Sequence, residues 1–449
     1  MSQLNRFRAF RQAIYEKVLT KEREAQFELL DALLASPRGC SFAELTLLPR
    51  FRRQWPSAYV ERGAHNQEAL DAMLLAQLPQ DRPVRLFALD ESVWPHPEAD
   101  TLPDRGYLYS GTSAAKRTAN DGRGITIGHS YSTLAFIAEP GTSWTLPIST
   151  ERVSSQDDAV AVGAEQVRRL CQGAGTETTL DVLCGDSRYG NHRFMGAMAD
   201  LEMGVLVCLR RNRVLYRDPS PGQYKGIGRR PVHGAPFRFR DSSSWGDADQ
   251  RIVLETTRFG QVELRLWHGL HAKEDHTVRF SVLCAFTHLE RARAAKPLWL
   301  AWLAPDAALQ RALPVSQLWW WYRGRPGIES CFRFRKQHLL WTDPALGTIA
   351  ACDNWTRLVT LAQWQLYLAR TLVEQVVLPW QRPQPERLTP ERVKQSIVGH
   401  FAAFGTPAYA PQRRGTSSGW PKGKPRKRRD RHRVVRKPRK RRAKGKKAT

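Results

Sequence analysis

The spacing of hydrophobic residues changes near residue 83 and divides the chain into a helical part and an α/β part. In residues 7–34, apolar side chains recur every three or four positions with few helix breakers, and residues 65–78 repeat this pattern. After residue 83, runs of β-branched and aromatic residues between turn residues predict strands instead. We therefore expect residues 1–80 to form an N-terminal helical domain, either a bundle packed against the next domain or a small DNA-binding domain.

The segments after residue 83 predict a mixed α/β sheet. Two helices are expected among the later strands, in residues 157–170 and 192–203. The predicted strands are residues 84–92, 107–110, 124–138, 144–150, 179–187, 204–210 and 296–304. Since a β-meander followed by alternating helices and strands is typical of a sheet covered by helices, we predict that architecture.

Three further segments complete the predicted organisation. Residues 214–292 alternate short strands with Gly, Pro and Ser turns, which indicates a β-rich insertion. Residues 314–340 predict a long helix with a kink or break at the Arg-Pro-Gly sequence that begins at residue 325. A last helix is expected in residues 346–378.

The charge of the chain is strongly positive and unevenly distributed. The 449 residues contain 70 Lys and Arg against 43 Asp and Glu, a net charge of +27. Residues 413–449 contain 19 basic residues and one acid, so they carry +18 and the rest of the chain carries 27 − 18 = +9. Counterion release from phosphates favours nucleic acid as the partner of such a chain. There is no run of about 20 apolar residues, so we expect no membrane attachment.

The cysteines and histidines show no zinc-binding spacing. The seven cysteines have no CxxC pair and no histidine cluster near them; they are residues 40, 171, 184, 208, 284, 331 and 352. We expect reduced core thiols in a cytoplasmic, nucleoid-associated protein. His129 is expected to be a hydrogen-bonded core residue, although its strand could bring it near the acids described next. No GxxxxGK[ST] sequence is present, which disfavours an ATP-driven motor.

Two aspartates follow buried strands. Asp90 ends the apolar run RLFALD, and Asp186 ends the run LDVLCGD. A carboxylate at the end of such a strand lies at the edge of the sheet, where ligands bind, although either residue alone could simply cap the next turn. Glu91 lies beside Asp90 and is expected to point to the opposite face of the sheet from Asp90. Asp181 lies within the second strand and is expected to point to the opposite face from Asp186.

A third acid, Glu329, lies among regularly spaced polar residues. Tyr322, Arg325, Glu329 and Lys336 have offsets of 0, 3, 7 and 14, which would place them near one face of a helix. An intrahelical ion pair would explain Arg325 and Glu329, but not the three tryptophans that precede them. Phosphodiester chemistry with two Mg²⁺ ions about 3.5–4 Å apart needs converging carboxylates. We therefore predict that Glu329 and the two strand aspartates are catalytic metal ligands.

The pattern Y-x2-R-x3-E-x6-K, formed by Tyr322, Arg325, Glu329 and Lys336, resembles the YREK signature of a large class of bacterial DDE insertion-sequence transposases. Asp90 and Asp186 resemble the two aspartates of that class, and the resemblance covers about residues 84–375. It implies an RNase H-like α/β fold whose three acids bind two Mg²⁺ ions, with Mn²⁺ as a substitute. It also implies cleavage at transposon ends by hydrolysis and strand transfer by transesterification, in a cut-and-paste route.

The resemblance further implies partners and roles. The terminal inverted repeats and the target DNA would be bound by a homodimer. The signature residues that would contact the terminal phosphates are Tyr322, Arg325 and Lys336. A tryptophan would stack on a flipped base near the cut. The candidates are Trp267, Trp299 and Trp302.

The patterns of hydrophobic, proline and charged residues divide the chain into parts, of which the resemblance covers only the middle. The expected parts are the helical domain (1–80), the catalytic domain (81–213 and 293–379) with the β-rich insertion (214–292) between its halves, a Pro-rich linker (380–412) and a disordered Lys/Arg-rich tail (413–449). The tail could bind DNA or increase solubility. Two alternatives stay open for the whole protein: a catalytically inactive or domesticated relative that only binds DNA, and a structure-specific nuclease with the same fold.

Overall fold

The structure is a computed structural model built around one large sheet. It describes residues 2–48, 56–109, 124–173, 179–222, 224, 226–257, 260–288, 297–377, 379–380, 382, 388–409, 419, 421–425 and 428–436. The helices in these residues are α1 Gln3–Ala13, α2 Arg23–Ala35, α3 Pro56–Arg62, α4 Gln67–Leu75, α5 Ala159–Gly173, α6 His192–Met198, α7 Ala307–Ala312, α8 Val315–Arg323, α9 Gly327–His338, α10 Ile349–Ala369, α11 Pro390–Ser396 and α12 Phe401–Phe404.

Fourteen strands lie in the described residues. They are β1 Leu19–Lys21, β2 Ala64–His65, β3 Val84–Pro95, β4 Gly106–Tyr109, β5 Ile125–Ile137, β6 Thr145–Val153, β7 Leu180–Gly185, β8 Gly204–Leu209, β9 Val214–Tyr216, β10 Pro236–Arg238, β11 Gln250–Thr256, β12 Gly260–Ala272, β13 Asp275–His288 and β14 Leu298–Leu303. The first two form a small antiparallel pair between the N-terminal helices.

The other twelve strands form a single mixed sheet. Its hydrogen-bonded order is β10-β9-β12-β13-β14-β8-β7-β3-β5-β4, and β11 pairs with β12 while β6 pairs with β5. The pairs β3–β7 and β7–β8 are parallel, whereas the pairs on either side of them are antiparallel. The predicted mixed α/β class, with one large sheet and several helices, is confirmed.

The parallel strands are buried because helices cover the sheet. Four consecutive residues of β7, from Val182 to Gly185, are buried, as are four of β8, from Gly204 to Val207. Such continuous apolar runs are typical of parallel strands with both faces covered. On one side the cover is α10, in which Trp364 donates a hydrogen bond of 2.7 Å to the carbonyl of Pro147 in β6.

The N-terminal helices pack against α10. Arg11 of α1 donates to Gln365 of α10 at 2.6 Å and forms a buried ion pair of 2.8 Å with Asp31 of α2. Asn354 of α10 donates to the carbonyl of Val60 in α3 at 3.2 Å. Buried apolar residues form one continuous cluster from these helices to the sheet. This is the packing that the first interpretation of residues 1–80 describes, and a DNA-binding role for them stays a prediction.

A short part of the basic tail is attached to the folded body. The amide of His432 donates to the carbonyl of Asp100, and the amide of Val435 donates to the carbonyl of Arg105, both at 2.7 Å. The prediction of disorder is therefore wrong for this segment, because β4 lies at an edge of the sheet and backbone groups beside it can pair with an extended chain. Of the predicted tail, residues 413–418, 420, 426–427 and 437–449 lie outside the described residues.

No helix in the described ranges is both long and apolar enough to cross a bilayer.

Candidate active site

Asp90 and Asp186 come together where β7 ends beside β3. The register between these parallel strands runs from Val84 opposite Leu180 to Leu89 opposite Gly185, and the next residue on each chain is an aspartate. The prediction that Asp90 ends its strand is wrong, because β3 continues to Pro95 by pairing with β5 on its other side. At Asp90, therefore, β3 is still paired with β5 on one side, whereas its pairing with β7 on the other side has ended.

Arg325 connects Asp90 with the third predicted acid. Its guanidinium donates to Asp90 Oδ2 at 2.5 Å and to Glu329 Oε1 at 3.0 Å. The side chains of Asp90 and Arg325 are 18% and 14% exposed, whereas that of Glu329 is 58% exposed. One planar cation therefore holds two of the acids, and Glu329 lies on the side of the site that faces solvent.

The charges of the two other predicted acids both act on Asp90. Its pKa is raised from the usual 3.8 to about 6, and burial is the largest cause. The charge of Arg325 opposes this rise, while the charges of Asp186 and Glu329 add to it. A carboxyl group that is buried beside two other acids is stabilised by a bound cation, so this cluster has the character of a cation-binding site.

The predicted break in the helix around residue 325 is confirmed. Helix α8 ends at Arg323, and α9 begins at Gly327 after Pro326. Arg325 therefore lies in the connecting turn and Glu329 in the first turn of α9. Because Tyr322 belongs to the other helix, the argument that places all four signature residues on one helical face is wrong.

Tyr322 and Lys336 lie deeper than the other signature residues. Tyr322 is 9% exposed, and its hydroxyl group interacts electrostatically with the thiol of Cys208 on β8. Lys336 Nζ donates to the carbonyl of Val93 in β3 at 3.0 Å, and burial lowers its pKa to about 8. Their contact with DNA phosphates stays a prediction, and it would require both side chains to exchange these partners.

The three tryptophans considered for stacking on a flipped base are fully buried. Trp267 and Trp299 are each 1% exposed and belong to an aromatic cluster with Trp245, while Trp302 is 0% exposed and packs near Trp321. The prediction that one of them stacks on DNA fails for this conformation. The alternation of polar and apolar residues could not show this, because burial of these rings depends on how β12 and β14 pair across the sheet.

Arg188 is a charged residue near the site that the sequence analysis missed. Its amide donates to Asp186 Oδ1 at 2.9 Å, and its half-exposed guanidinium pairs with Glu91. A cavity of about 760 Å³ lies on this side of β3, and Glu91, Arg188 and His129 are among its lining residues. The sequence could have indicated Arg188 as a residue of the site, because it lies only two residues after Asp186. Asp181, as expected, belongs elsewhere, since it is buried against another arginine.

The chain matches one family model and no curated protein. The model of the family described as DDE superfamily endonuclease matches residues 15–273, which is more than half of the chain. The matched segment contains Asp90 and Asp186 and ends before Glu329. No curated protein matches the chain.

Proposed function

Because the chain belongs to the DDE superfamily endonuclease family, we propose that it is a DNA transposase of the YREK-signature class found in bacterial insertion sequences. The family is one of nuclease and transposase-type enzymes whose substrate is DNA. The proposed reaction is cleavage at the ends of a mobile element and joining of those ends to a target, by a cut-and-paste route. We further propose that it acts in the cytoplasm in association with the nucleoid, as a homodimer on its DNA.

The strand order supports an RNase H-like fold for the catalytic part. The segment β6-β5-β3-β7-β8 consists of an antiparallel meander followed by two strands parallel to the central β3. Asp90 lies on this central strand and Asp186 follows its parallel neighbour. The β-rich residues 214–292 continue the sheet beyond β8 through β14, and we propose that they hold the DNA end.

The observation that carries the proposal is the bridge that Arg325 forms between Asp90 and Glu329, next to Asp186. Asp186 lies 96 positions after Asp90 in the sequence, and Glu329 lies 143 positions after Asp186. The charges of Asp186 and Glu329 nevertheless both act on Asp90. A structural ion pair needs one acid for one base, whereas here Arg325 contacts two acids, Asp90 and Glu329, and the charge of a third, Asp186, also acts on it. An excess of carboxylates with oxygen donors is what a site for divalent cations requires.

The three carboxylates fit Mg²⁺, which prefers oxygen ligands, and Mn²⁺ as its substitute. We propose that Asp90, Asp186 and Glu329 hold two such ions. When bound, the ions lower the pKa of a bound water and stabilise the negative charge on the leaving oxygen. The protein contributes the fixed positions of its acids, two beside adjacent strands and one on a helix that begins at the site.

The proposed reaction has two steps. In hydrolysis, a water oxygen forms a bond to phosphorus at the transposon end and the bond to the 3′ oxygen breaks. The water gives up a proton, and the leaving 3′ oxygen takes up a proton from solvent and becomes the 3′-hydroxyl. In strand transfer, the freed 3′-hydroxyl oxygen attacks a phosphorus of the target, and the target's own 3′ oxygen leaves with a proton. Each step breaks one phosphorus–oxygen bond and forms another without a change of oxidation state, so no oxidant is required.

Arg325 has a second role in this proposal. While the acids lack cations, its guanidinium neutralises part of their charge. A divalent ion at Asp90 would compete with it, and the displaced guanidinium would then be available to a DNA phosphate, for which its planar fork is suited. Tyr322 and Lys336 would join the same contact after leaving Cys208 and Val93.

The two alternative functions predict different products. An inactive relative would bind DNA without cutting it, and the intact set of three acids argues against this. A structure-specific nuclease would cut branched DNA and would not join ends. The signature pattern and the β-rich segment favour the transposase, because a nuclease without strand transfer does not need to hold one end for a second step.

The test is a cleavage and strand-transfer assay with the terminal inverted repeats, a target plasmid and Mg²⁺. We expect the wild-type protein to produce both nicked ends and joined products. Asp90→Asn, Asp186→Asn and Glu329→Gln should each reduce cleavage by about 10³-fold or more while keeping end binding, since a catalytic group is lost and the fold is kept.

Glu165→Gln is the matched control. Glu165 is 60% exposed and pairs with an arginine four residues later, much as Glu329 pairs with one four residues earlier. We expect the control to retain full cleavage. Cleavage that survives one of the three acid substitutions would show that residue to be wrongly assigned, and cutting of branched DNA without joining would replace the transposase by the nuclease.

A further inference from the structure

Two histidines and one cysteine converge beyond the end of β3, apart from the carboxylate cluster. His96 directly follows β3, His129 lies on β5, and Cys352 lies in the first turn of α10. One potential ligand atom from each residue lies within 4.8 Å of those of the other two. The three residues are 5%, 2% and 0% exposed, so their side chains are almost entirely buried, and His129 also lines the cavity described above.

Both histidines have a buried ring nitrogen without a hydrogen-bond partner in the described part of the chain. These atoms are Nε2 of His96 and Nδ1 of His129. Leaving one buried polar atom unsatisfied costs about 1–3 kcal/mol, and native structures contain few such atoms. Two of them in neighbouring rings, whose centroids are 5.2 Å apart, point to a missing common partner.

The tautomer of His129 identifies what that partner must be. Its Nε2 lies 3.0 Å from the carbonyl oxygen of Pro103. Because a carbonyl oxygen only accepts, Nε2 carries the proton and donates, and Nδ1 of the neutral ring carries the lone pair. Metal-bound histidines are typically oriented in this way, with the second nitrogen donating to a carbonyl or carboxylate. His129 Nδ1 therefore offers a lone pair, which a metal ion or a hydrogen-bond donor can engage.

We propose that His96, His129 and Cys352 bind one zinc ion. Nitrogen and thiolate ligands suit Zn²⁺, whereas Mg²⁺ prefers oxygen, so this site is chemically distinct from the three carboxylates. Binding transfers the thiol proton of Cys352 to solvent and forms a zinc–sulfur bond. Water completes the fourth position.

The surroundings fit a structural role for this zinc. The site joins the end of β3, the middle of β5 and the start of α10, and β3 is the strand that carries Asp90. Asp353, whose carboxylate accepts a hydrogen bond of 3.0 Å from Tyr131, acts electrostatically on Cys352 and would offset part of the remaining positive charge. The spacing rule for zinc motifs missed the site because its ligands come from three distant segments of the chain.

The first test is the zinc content of the full-length protein after gel filtration in zinc-free buffer. We expect about one zinc per chain in the wild type, as for a structural site, and a fall of about tenfold or more in Cys352→Ser and in His129→Ala. Cys284→Ser is the matched control, because Cys284 is an equally buried thiol on β13. The control should keep its zinc.

A second measurement remains informative if the variants do not fold. Zinc is removed from the wild-type protein with a chelator, and Co²⁺ is titrated into it. We expect a thiolate-to-cobalt charge-transfer absorption that saturates at about one equivalent, which carboxylate ligands cannot produce. The proposal is overturned if the wild type binds no zinc and gives no such band, or if zinc content is unchanged in both ligand variants.

Discussion

Asp90 lies in an environment that disfavours its ionised form. Burial and the charges of Asp186 and Glu329 outweigh the ion pair with Arg325 and raise its pKa to about 6. The ionised form is therefore less favourable in the folded chain than in the unfolded chain. Its cost to stability is absent below the unfolded pKa of 3.8, grows as the pH rises towards 6, and is complete above it.

We predict that Asp90→Asn stabilises the metal-free protein at pH 8. The neutral amide removes a buried charge, so the free energy of unfolding should rise by about 1–3 kcal/mol, in proportion to the pKa shift. The gain should shrink towards pH 4, where Asp90 is protonated in the wild type. Urea unfolding with EDTA across this range measures it. A destabilised variant at pH 8, or a gain that does not depend on pH, would contradict the electrostatics of the site.

Arg325→Ala should separate cation binding from DNA binding. Because the competing guanidinium is absent, we expect the variant to bind Mn²⁺ at its three acids at least about fivefold more tightly than the wild-type protein does, a common size for such coupling. Affinity for a transposon end should fall in the same variant. Calorimetry and filter binding report the two effects, with Arg169→Ala, which removes the exposed partner of Glu165, as the control. Unchanged Mn²⁺ affinity would show that Arg325 and the ion do not compete.

At the scale of elements, the turn between α8 and α9 sets the position of Glu329. Gly327 begins α9 so close to β6 that a Cβ atom there would lie 2.3 Å from Thr145 Oγ1 and 3.6 Å from its Cβ. The hydroxyl of Thr145 is buried and without a hydrogen-bond partner in the described residues. A glycine is thus required by close packing between the first turn of α9 and the sheet.

We predict that Gly327→Ala lowers both stability and cleavage. The added methyl group must displace Thr145 or the start of α9, which costs about 1–3 kcal/mol and moves Glu329. In the double variant with Thr145→Ala, the clashing hydroxyl is gone and the nearest remaining atom is at contact distance. Thermal melts and single-turnover cleavage should both return towards wild type. If the double variant stays as defective as the single one, packing at this position does not control the site.

The elements that depend on local pattern were predicted well, and those that depend on pairing were not. The mixed sheet, its apolar central strands and the break before Gly327 follow from hydrophobic spacing and from Pro326. The extension of β3 past Asp90 depends on β5, which lies about 40 residues later. Contacts of this kind also bury Trp302 and bring His96 to α10, and no local pattern encodes them.

At the scale of the whole molecule, the positive charge is divided between the body and the tail. The segment before residue 413 carries +9, and the segment after it carries +18. The backbone amides of residues 432 and 435 are hydrogen-bonded to the segment that leads into β4, at the edge of the sheet. This attachment places Val435 and Arg436 beside the sheet that also carries the proposed active site.

Truncation after Arg436 should weaken non-specific DNA binding and reduce its salt dependence. The deletion removes eight of the nineteen basic residues of the tail and keeps the attached segment. The slope of log K against log salt should flatten by up to about seven, since each neutralised phosphate contributes about 0.9. Replacement of the same residues by a Gly/Ser segment controls for length. An unchanged slope would mean that the tail does not contact DNA.

The most direct test of the central assignment is a crystal structure of the protein with a cleaved transposon end and Mn²⁺, analysed by anomalous scattering. We expect two manganese peaks about 3.5–4 Å apart, bound by oxygens of Asp90, Asp186 and Glu329, with Arg325 moved to a DNA phosphate. Density with Arg325 still bridging Asp90 and Glu329, and no manganese at these acids, would contradict the proposal that they form the catalytic metal site.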